Sequence, residues 1–402
     1  MNKTIYYLLT LTIACVTSHV AAQNTTNLPT SMYGVGELNA VEGGRYAGMG
    51  NVGIALNRVG MLNTLNPAAA TRMDTTCFTF EVGVVGSYAR YSFLSDRSSN
   101  LTGNPNRIAF AFRALKGWYV QAGMAPYSSM GYLIQTEEPV EGKPGEQVYS
   151  QFEGTGGLYR LYLSNAFRLT PRLSLGVNVG AIRGKTVQSE TQETATIEVE
   201  SAKRAFYLDF GVHYEWPLRQ GRSLSAGIVA SPSLPISQDN ELTYSSTSTD
   251  ESLDESQPAA AQYLPLRLGV GMAYATPRWT LAADYNFVDW SRNTSTYTSA
   301  RWTNQHKLNA GAIYTMHPRS ARSAELMGGI GLSNAYMTLK GGQMYYLEAS
   351  LGAGFPVRQS FLSVGGTWRR QVNTRASLMR EDRWSITLSI TFGERLSKSK
   401  LK

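Results

Sequence analysis

From Thr76 onward, apolar and polar residues alternate in short runs separated by turn residues, the period-two pattern of strands with two unlike faces. The pattern predicts strands at 76–94, 106–115, 117–126, 148–169, 172–186, 203–216, 222–231, 262–275, 278–290, 305–316, 324–334, 343–355, 360–370 and 382–393, fourteen in all. In the last of these Trp384, Ile386, Leu388, Ile390 and Phe392 share one face, and Ser385, Thr387, Ser389 and Thr391 the other. Strand 172–186 sets Leu173, Leu175, Val177 and Val179 against Ser174, Gly176, Asn178 and Gly180. Strand 262–275 sets Leu266, Leu268, Val270, Met272 and Tyr274 against Arg267, Gly269, Gly271 and Ala273. The second face is too small and polar for a packed core; it suits a lumen, with the apolar face turned to lipid.

The connections sharpen this. Short ones fall at 116–117, 170–171, 217–221, 276–277, 317–323 and 356–359, and longer ones at 95–105, 127–147, 187–202, 232–261, 291–304, 335–342 and 371–381. They alternate long and short throughout. A sandwich or propeller has no reason to do so, whereas an up-and-down outer-membrane barrel does, with short periplasmic turns and long outside loops. An even number of strands places both ends of the barrel in the periplasm. Closure also satisfies the backbone hydrogen bonds in lipid.

Composition agrees. The chain carries 23 Tyr, 13 Phe, 7 Trp and 38 Gly, a mixture suited to aromatic girdles and many turns. Residues 1–22 read as a signal peptide: Lys3, an apolar core from Ile5 to Val16, and the small-residue cleavage site Val20-Ala21-Ala22. After it no run of 18 apolar residues occurs, so no spanning helix is expected. Without Lys3 the chain has 36 Lys+Arg against 29 Asp+Glu, a net charge of +7. These basic residues are scattered and make no nucleic-acid patch. Cys77 is the only mature cysteine, which excludes an internal disulfide.

Ahead of the strands, 31–70 is rich in glycine yet also holds Met49, Val52, Ile54, Leu56, Met61, Leu62 and Leu65. That is too apolar for a solvated linker, and the expectation is a compact plug enclosed by the barrel. Its Gly48-Met49-Gly50-Asn51-Val52-Gly53 reads GxGxxG, but NAVEGGRYA precedes it where a dinucleotide site needs a buried strand. His213, His306 and His317 show no metal-ligand spacing, so neither a metal, another cofactor nor an enzyme is expected. Segment 239–257, acidic and rich in Ser and Thr, reads as a solvated outside loop, with divalent-ion bridging to lipopolysaccharide as the alternative. The domains predicted are the signal peptide (1–22), the plug or hatch (23–75), the barrel (76–393) and a basic tail (394–402).

The pattern GGRYAGMG…NPAAA before the first strand resembles the amino-terminal hatch of the FadL family of outer-membrane transport proteins. LPLRLGVGMAY (264–274), LAADYNFVDWS (281–291) and HKLNAGAIY (306–314) are similar to that family's paired strands, and the opening SMYGVGELNA to versions from Bacteroidetes-type bacteria. One departure is the absence of a terminal aromatic, the chain running past Phe392 to Lys402. The resemblance implies passive uptake of a hydrophobic molecule, such as a long-chain fatty acid, across the outer membrane of a Gram-negative bacterium by a monomer set among lipid and lipopolysaccharide. It also implies a hatch that shifts on binding and a sideways exit at a kinked third strand.

Carried onto this chain, the hatch motif comprises Gly44, Arg45, Gly48, Asn66, Pro67 and Ala68, with Asn66 capping or turning the chain, Pro67 fixing it, and Arg45 pairing with a lumen acid. Gly123 and Pro126 mark the candidate lateral gap, since proline cannot donate to a ladder; a proline that only ends the strand is the other reading. By parity Arg160 and Arg267 point inward, to meet a ligand carboxylate or to form an ion pair, as Arg267 would with Asp284 or Asn286 across the 276–277 turn. A second function stays open: a FadL-fold barrel of the PorV or PorQ kind that transports nothing and anchors or shuttles type IX secreted proteins.

Overall fold

A computed structural model describes residues 28–39, 44–58, 60–73, 77–93, 96–139, 147–246, 251–258, 260–295, 298–318, 323–357, 360–373 and 379–395. The leader at 1–22, the tail beyond 395 and the side chain of Arg45 lie outside what is described. All fourteen expected strands form. They are β1 (Cys77–Phe93), β2 (Asp96–Leu115), β3 (Trp118–Ser129, continued by Tyr132–Pro139), β4 (Gln147–Arg168), β5 (Leu173–Gln192), β6 (Ala195–Pro217) and β7 (Ser223–Ser231, continued by Pro235–Ser246). There follow β8 (Glu251–Gln257, Gln262–Tyr263 and Leu266–Ala275), β9 (Trp279–Asp289), β10 (Gln305–Thr315), β11 (Glu325–Asn334), β12 (Met344–Val357), β13 (Ser360–Asn373) and β14 (Arg380–Arg395). Neighbours pair antiparallel, and β1 closes on β14 from Cys77↔Arg395 to Ser92↔Arg380, which leaves no sheet edge at the seam.

The outer face is apolar where a bilayer would touch it: Ile330, Ile386 and Leu351 are 60%, 61% and 74% exposed, a cost in water that lipid removes. At the short-turn end Trp118 packs on Phe167, Tyr214 on Trp216 and Trp279 on Tyr314, with ring centroids 6.1, 4.4 and 4.8 Å apart. They form part of one aromatic girdle. Among the described residues no helix is long and apolar enough to cross a membrane.

The long connections differ from expectation. In the expected connection 95–105, residues 96–105 continue the β1–β2 ladder out to Phe93↔Asp96, and 187–202 continues β5–β6 to Gln192↔Ala195. The described residues of the acidic segment 239–257 are two paired strands, from Asn240↔Gln257 to Ser246↔Glu251, where a loop was expected. The physical reason is that both faces are wet beyond the membrane. Apolar alternation then fades from the sequence while the backbone ladder, which needs no apolar side chain, runs on. In the predicted loop 335–342, Met337–Leu339 pairs with Ala300–Trp302.

Candidate functional site in the lumen

The described residues between 28 and 73 fold inside the barrel, and their packing explains the small inward face of the wall. Met49, Val52, Ile54, Leu56, Met61, Leu62 and Leu65 are all buried, with Ala273, Ala282, Ile313 and Met327 packed against part of this set. Opposite the hatch backbone the wall places glycine. A Cβ at Gly211 would stand 2.1 Å from Asn66 Oδ1, and one at Gly329 would stand 2.4 Å from Gly50 N. Gly176, Gly227, Gly311 and Gly352 meet the hatch in the same way. The lumen face is therefore small because it is a seat, not only because it is wet.

Three polar side chains fix the seat. Asn66 Oδ1 accepts from Ala68 N at 3.0 Å, capping the short 3-10 helix Pro67–Arg72. Its Nδ2 donates to Ile54 O at 2.7 Å and to Val212 O on β6 at 3.1 Å, tying hatch to wall. Asn63 Nδ2 donates to Gly53 O at 2.6 Å and Leu56 O at 2.9 Å, holding the intervening loop. Asp284, on β9, accepts from Gly53 N and Ile54 N at 2.6 and 2.8 Å. Gly44 and Gly48 belong to a 3-10 helix, Gly44–Met49, whose Gly48 lies against Gly352.

Of the two partners expected for Arg267, Asn286 is the one it meets, and the pairing with Asp284 is corrected. Arg267 stands opposite Val288, because the tight turn pairs Ala275 with Thr280. It donates to Asn286 Oδ1 at 3.1 Å and lies 3.8 Å from Asp209 on β6. Arg160 does face inward, donating to Tyr207 Oη at 3.3 Å with its guanidinium over the Tyr162 and Tyr207 rings. Asp209 also accepts from Ser231 at 2.5 Å and Tyr207 at 3.1 Å. His213 is structural, its Nε2 donating to Ala55 O at 3.1 Å.

Above the hatch lies a cavity of about 260 Å³ whose lining joins apolar groups, among them Leu234, Leu264, Val288 and Trp290, to the cations Arg160, Arg267, Lys307 and Arg369. A second cavity of about 470 Å³ adjoins it, and Glu37, Leu38, Asn39, Asn51 and Pro126 line both. The second cavity reaches the wall between β2 and β3. That ladder runs from Leu115↔Trp118 only as far as Ile108↔Met124. Beyond it, among the described residues, the β3 edge is taken not by β2 but by the hatch, with Glu37↔Ser129 and Leu38↔Ser128 paired and Asn39 N donating to Tyr127 O at 3.0 Å. Gly123 sits in the next-to-last rung, opposite Ala109, and Pro126 lies just past the end, at a bulge in the β3–β4 register.

Sequence reasoning missed the clasp that holds this hatch strand. Glu37 accepts from Arg369 on β13 and from Arg383 on β14, both at 2.7 Å, while Glu381 pairs with the same two arginines at 3.0 and 2.5 Å. Inward parity along β13 and β14 was the available signal: Arg369 follows Gly365 and Thr367, and Glu381 and Arg383 precede Ser385. Arg58 with Glu325 at 2.9 Å, and Arg72 with Glu215, fasten the periplasmic side.

The family profile of BamG matches residues 1–401. The chain belongs to the BamG family. No protein of curated function matches this BamG-family sequence. Its fold is nevertheless that of solved FadL-type barrels. A Pseudomonas aeruginosa FadL homologue aligns with a TM-score of 0.58 at 14% identity, covering 88% of this chain and 98% of that one. The Ralstonia pickettii toluene transporter TbuX aligns at 0.56 and 13%, covering 89% and 98%, and the Pseudomonas putida toluene transporter TodX at 0.57 and 13%, covering 93% and 100%. At such identities the likeness establishes the FadL fold of this BamG-family barrel.

Proposed function

We propose that this BamG-family barrel is an outer-membrane channel for passive uptake of hydrophobic molecules. One observation carries the reading: the lumen cavity continues, past Glu37–Asn39, into a cavity at the interrupted β2–β3 ladder. A solute entering from outside lodges above the hatch, passes the hatch strand and leaves sideways beside Pro126, so the lumen need never open to water from end to end. The hatch is the gate. The solute class is a long-chain fatty acid or a similar amphipathic acid. Leu264, Val288 and Trp290 take the chain, and Arg267 and Lys307 meet the carboxylate. The indole N–H of Trp290 is buried and has no partner among the described residues, so it offers one more donor to the head group. The barrel acts as a monomer and no covalent chemistry is involved.

The test is uptake of a fluorescent fatty acid into proteoliposomes, with mass spectrometry of lipid retained by the purified protein. Ser128→Trp, which crowds the second cavity, is expected to slow uptake severalfold while lipid stays bound. Unchanged uptake refutes the sideways route, and absence of both bound lipid and uptake refutes transport. A second reading has its own support. The hatch fills the lower lumen, and β4–β8 stand beyond the apolar band as a tall outside sheet, which suits an accessory barrel that anchors or shuttles secreted proteins. Copurification of such proteins without lipid would favour it.

A further inference from the structure

The outward face of β4–β7 carries a row that neither the hatch nor the lumen explains. On β6 the outward residues Trp216, Tyr214, Val212, Phe210, Leu208 and Phe206 form the apolar band, and the next outward residue is Arg204. On β5 the band ends at Val179 and Ala181, and the next outward residue is Arg183. The register sets Arg183 directly opposite Arg204, with Tyr159 of β4 and Ser237 of β7 flanking the pair in the same row. Like charges directly opposite on one face of a sheet are destabilising. Arg204 donates to Ser237 Oγ at 3.4 Å, and its acidic partner among the described residues is Asp239, 3.6 Å away with both side chains largely exposed; among the same residues Arg183 has no acidic partner. One row further out stand Lys185 and Asp239, and beyond them Glu198, Glu200 and Glu241.

We propose that Arg183 and Arg204 form a site for a phosphate of the lipopolysaccharide headgroup. Directly opposed residues have Cβ atoms about 5 Å apart, so two guanidinium forks can bracket one phosphate and relieve their own repulsion. The layering selects this ligand over a free anion. An acyl chain running down from the phosphate would lie on Phe206, Phe210 and Val179, all at least a third exposed on the outer wall, while the acidic rows beyond keep the anion at the rim. The site does not rest on the transport reading, since neither arginine lines the lumen cavity or the second cavity, although Tyr159 beside them borders the second.

The experiment titrates the full-length protein in detergent with diphosphorylated lipid A, read by native mass spectrometry. Expected are saturable binding by the unaltered protein, a loss of roughly tenfold or more in Arg183→Gln/Arg204→Gln, and comparably weak binding of dephosphorylated lipid A. Arg90→Gln, a rim arginine set against Tyr88 and Trp384, should bind as the unaltered protein does. Should the glutamine pair fail to give a folded, heat-modifiable barrel, Arg183→Lys/Arg204→Lys, which keeps charge but loses the forks, should still bind severalfold more weakly. Full binding by whichever double variant folds, equal binding of dephosphorylated lipid, an equal loss in Arg90→Gln, or complete displacement by millimolar inorganic phosphate would each overturn the proposal.

Discussion

The carboxylate of Asp284 is the most informative place to perturb the hatch. It is 2% exposed, and its Oδ2 receives the backbone N–H groups of both Gly53 and Ile54, at 2.6 and 2.8 Å. A hydrogen bond to a charged acceptor contributes about 1.5–3 kcal/mol net, and deleting the acceptor leaves two N–H donors with nothing to bond. Water entering a lumen softens the loss, so the lower end applies, about 3 kcal/mol for Asp284→Ala. At 1.4 kcal/mol per factor of ten, that raises the ratio of displaced to seated hatch roughly 100-fold. Asp284→Asn keeps an acceptor oxygen but not the charge, at about 1–2 kcal/mol, or roughly tenfold. The assay is the fraction of time a single barrel conducts in a planar bilayer, read beside amide exchange at Gly53 and Ile54. The expected order is Ala above Asn above unaltered protein in both readouts, with the barrel still heat-modifiable. If the alanine variant matches unaltered protein in conductance and in exchange, Asp284 does not hold the hatch and the seat described here is wrong.

Other outcomes follow from the same contacts. Gly211→Ala drives a methyl into Asn66 and Pro67 and should cost about 1–3 kcal/mol by overpacking, seen as a lower unfolding temperature and faster proteolysis of the hatch. Glu37→Gln removes the charge shared by Arg369 and Arg383, and it should raise the reactivity of a cysteine placed at Asn39 severalfold toward an aqueous thiol reagent; no change would exclude the clasp. Deleting 31–70 should convert a closed barrel into a conducting pore, and unchanged conductance would show that something else fills the lumen.

Much of this protein was legible from local pattern. Period-two alternation gave fourteen strands and their facing, because one face of each strand meets lipid and the other does not, and that asymmetry is written residue by residue. The Asn66-Pro67 pair signalled a capped turn, since each residue acts on its own neighbours. The apolar residues between Met49 and Leu65 signalled enclosure. What the sequence could not settle depends on register across the sheet, where a shift of one pair of residues changes every partner. Arg267 stands opposite Val288, not Asn286 or Asp284, because a slightly longer turn displaced the ladder by two residues, and its guanidinium reaches diagonally to Asn286 and across to Asp209. The pairing of 240–246 with 251–257 came from neighbouring backbone, not from their own side chains. Only the closed barrel brings Glu37 to Arg369 and Arg383, more than 300 residues away, and only there does the missing stretch of ladder beside Pro126 open onto the lumen.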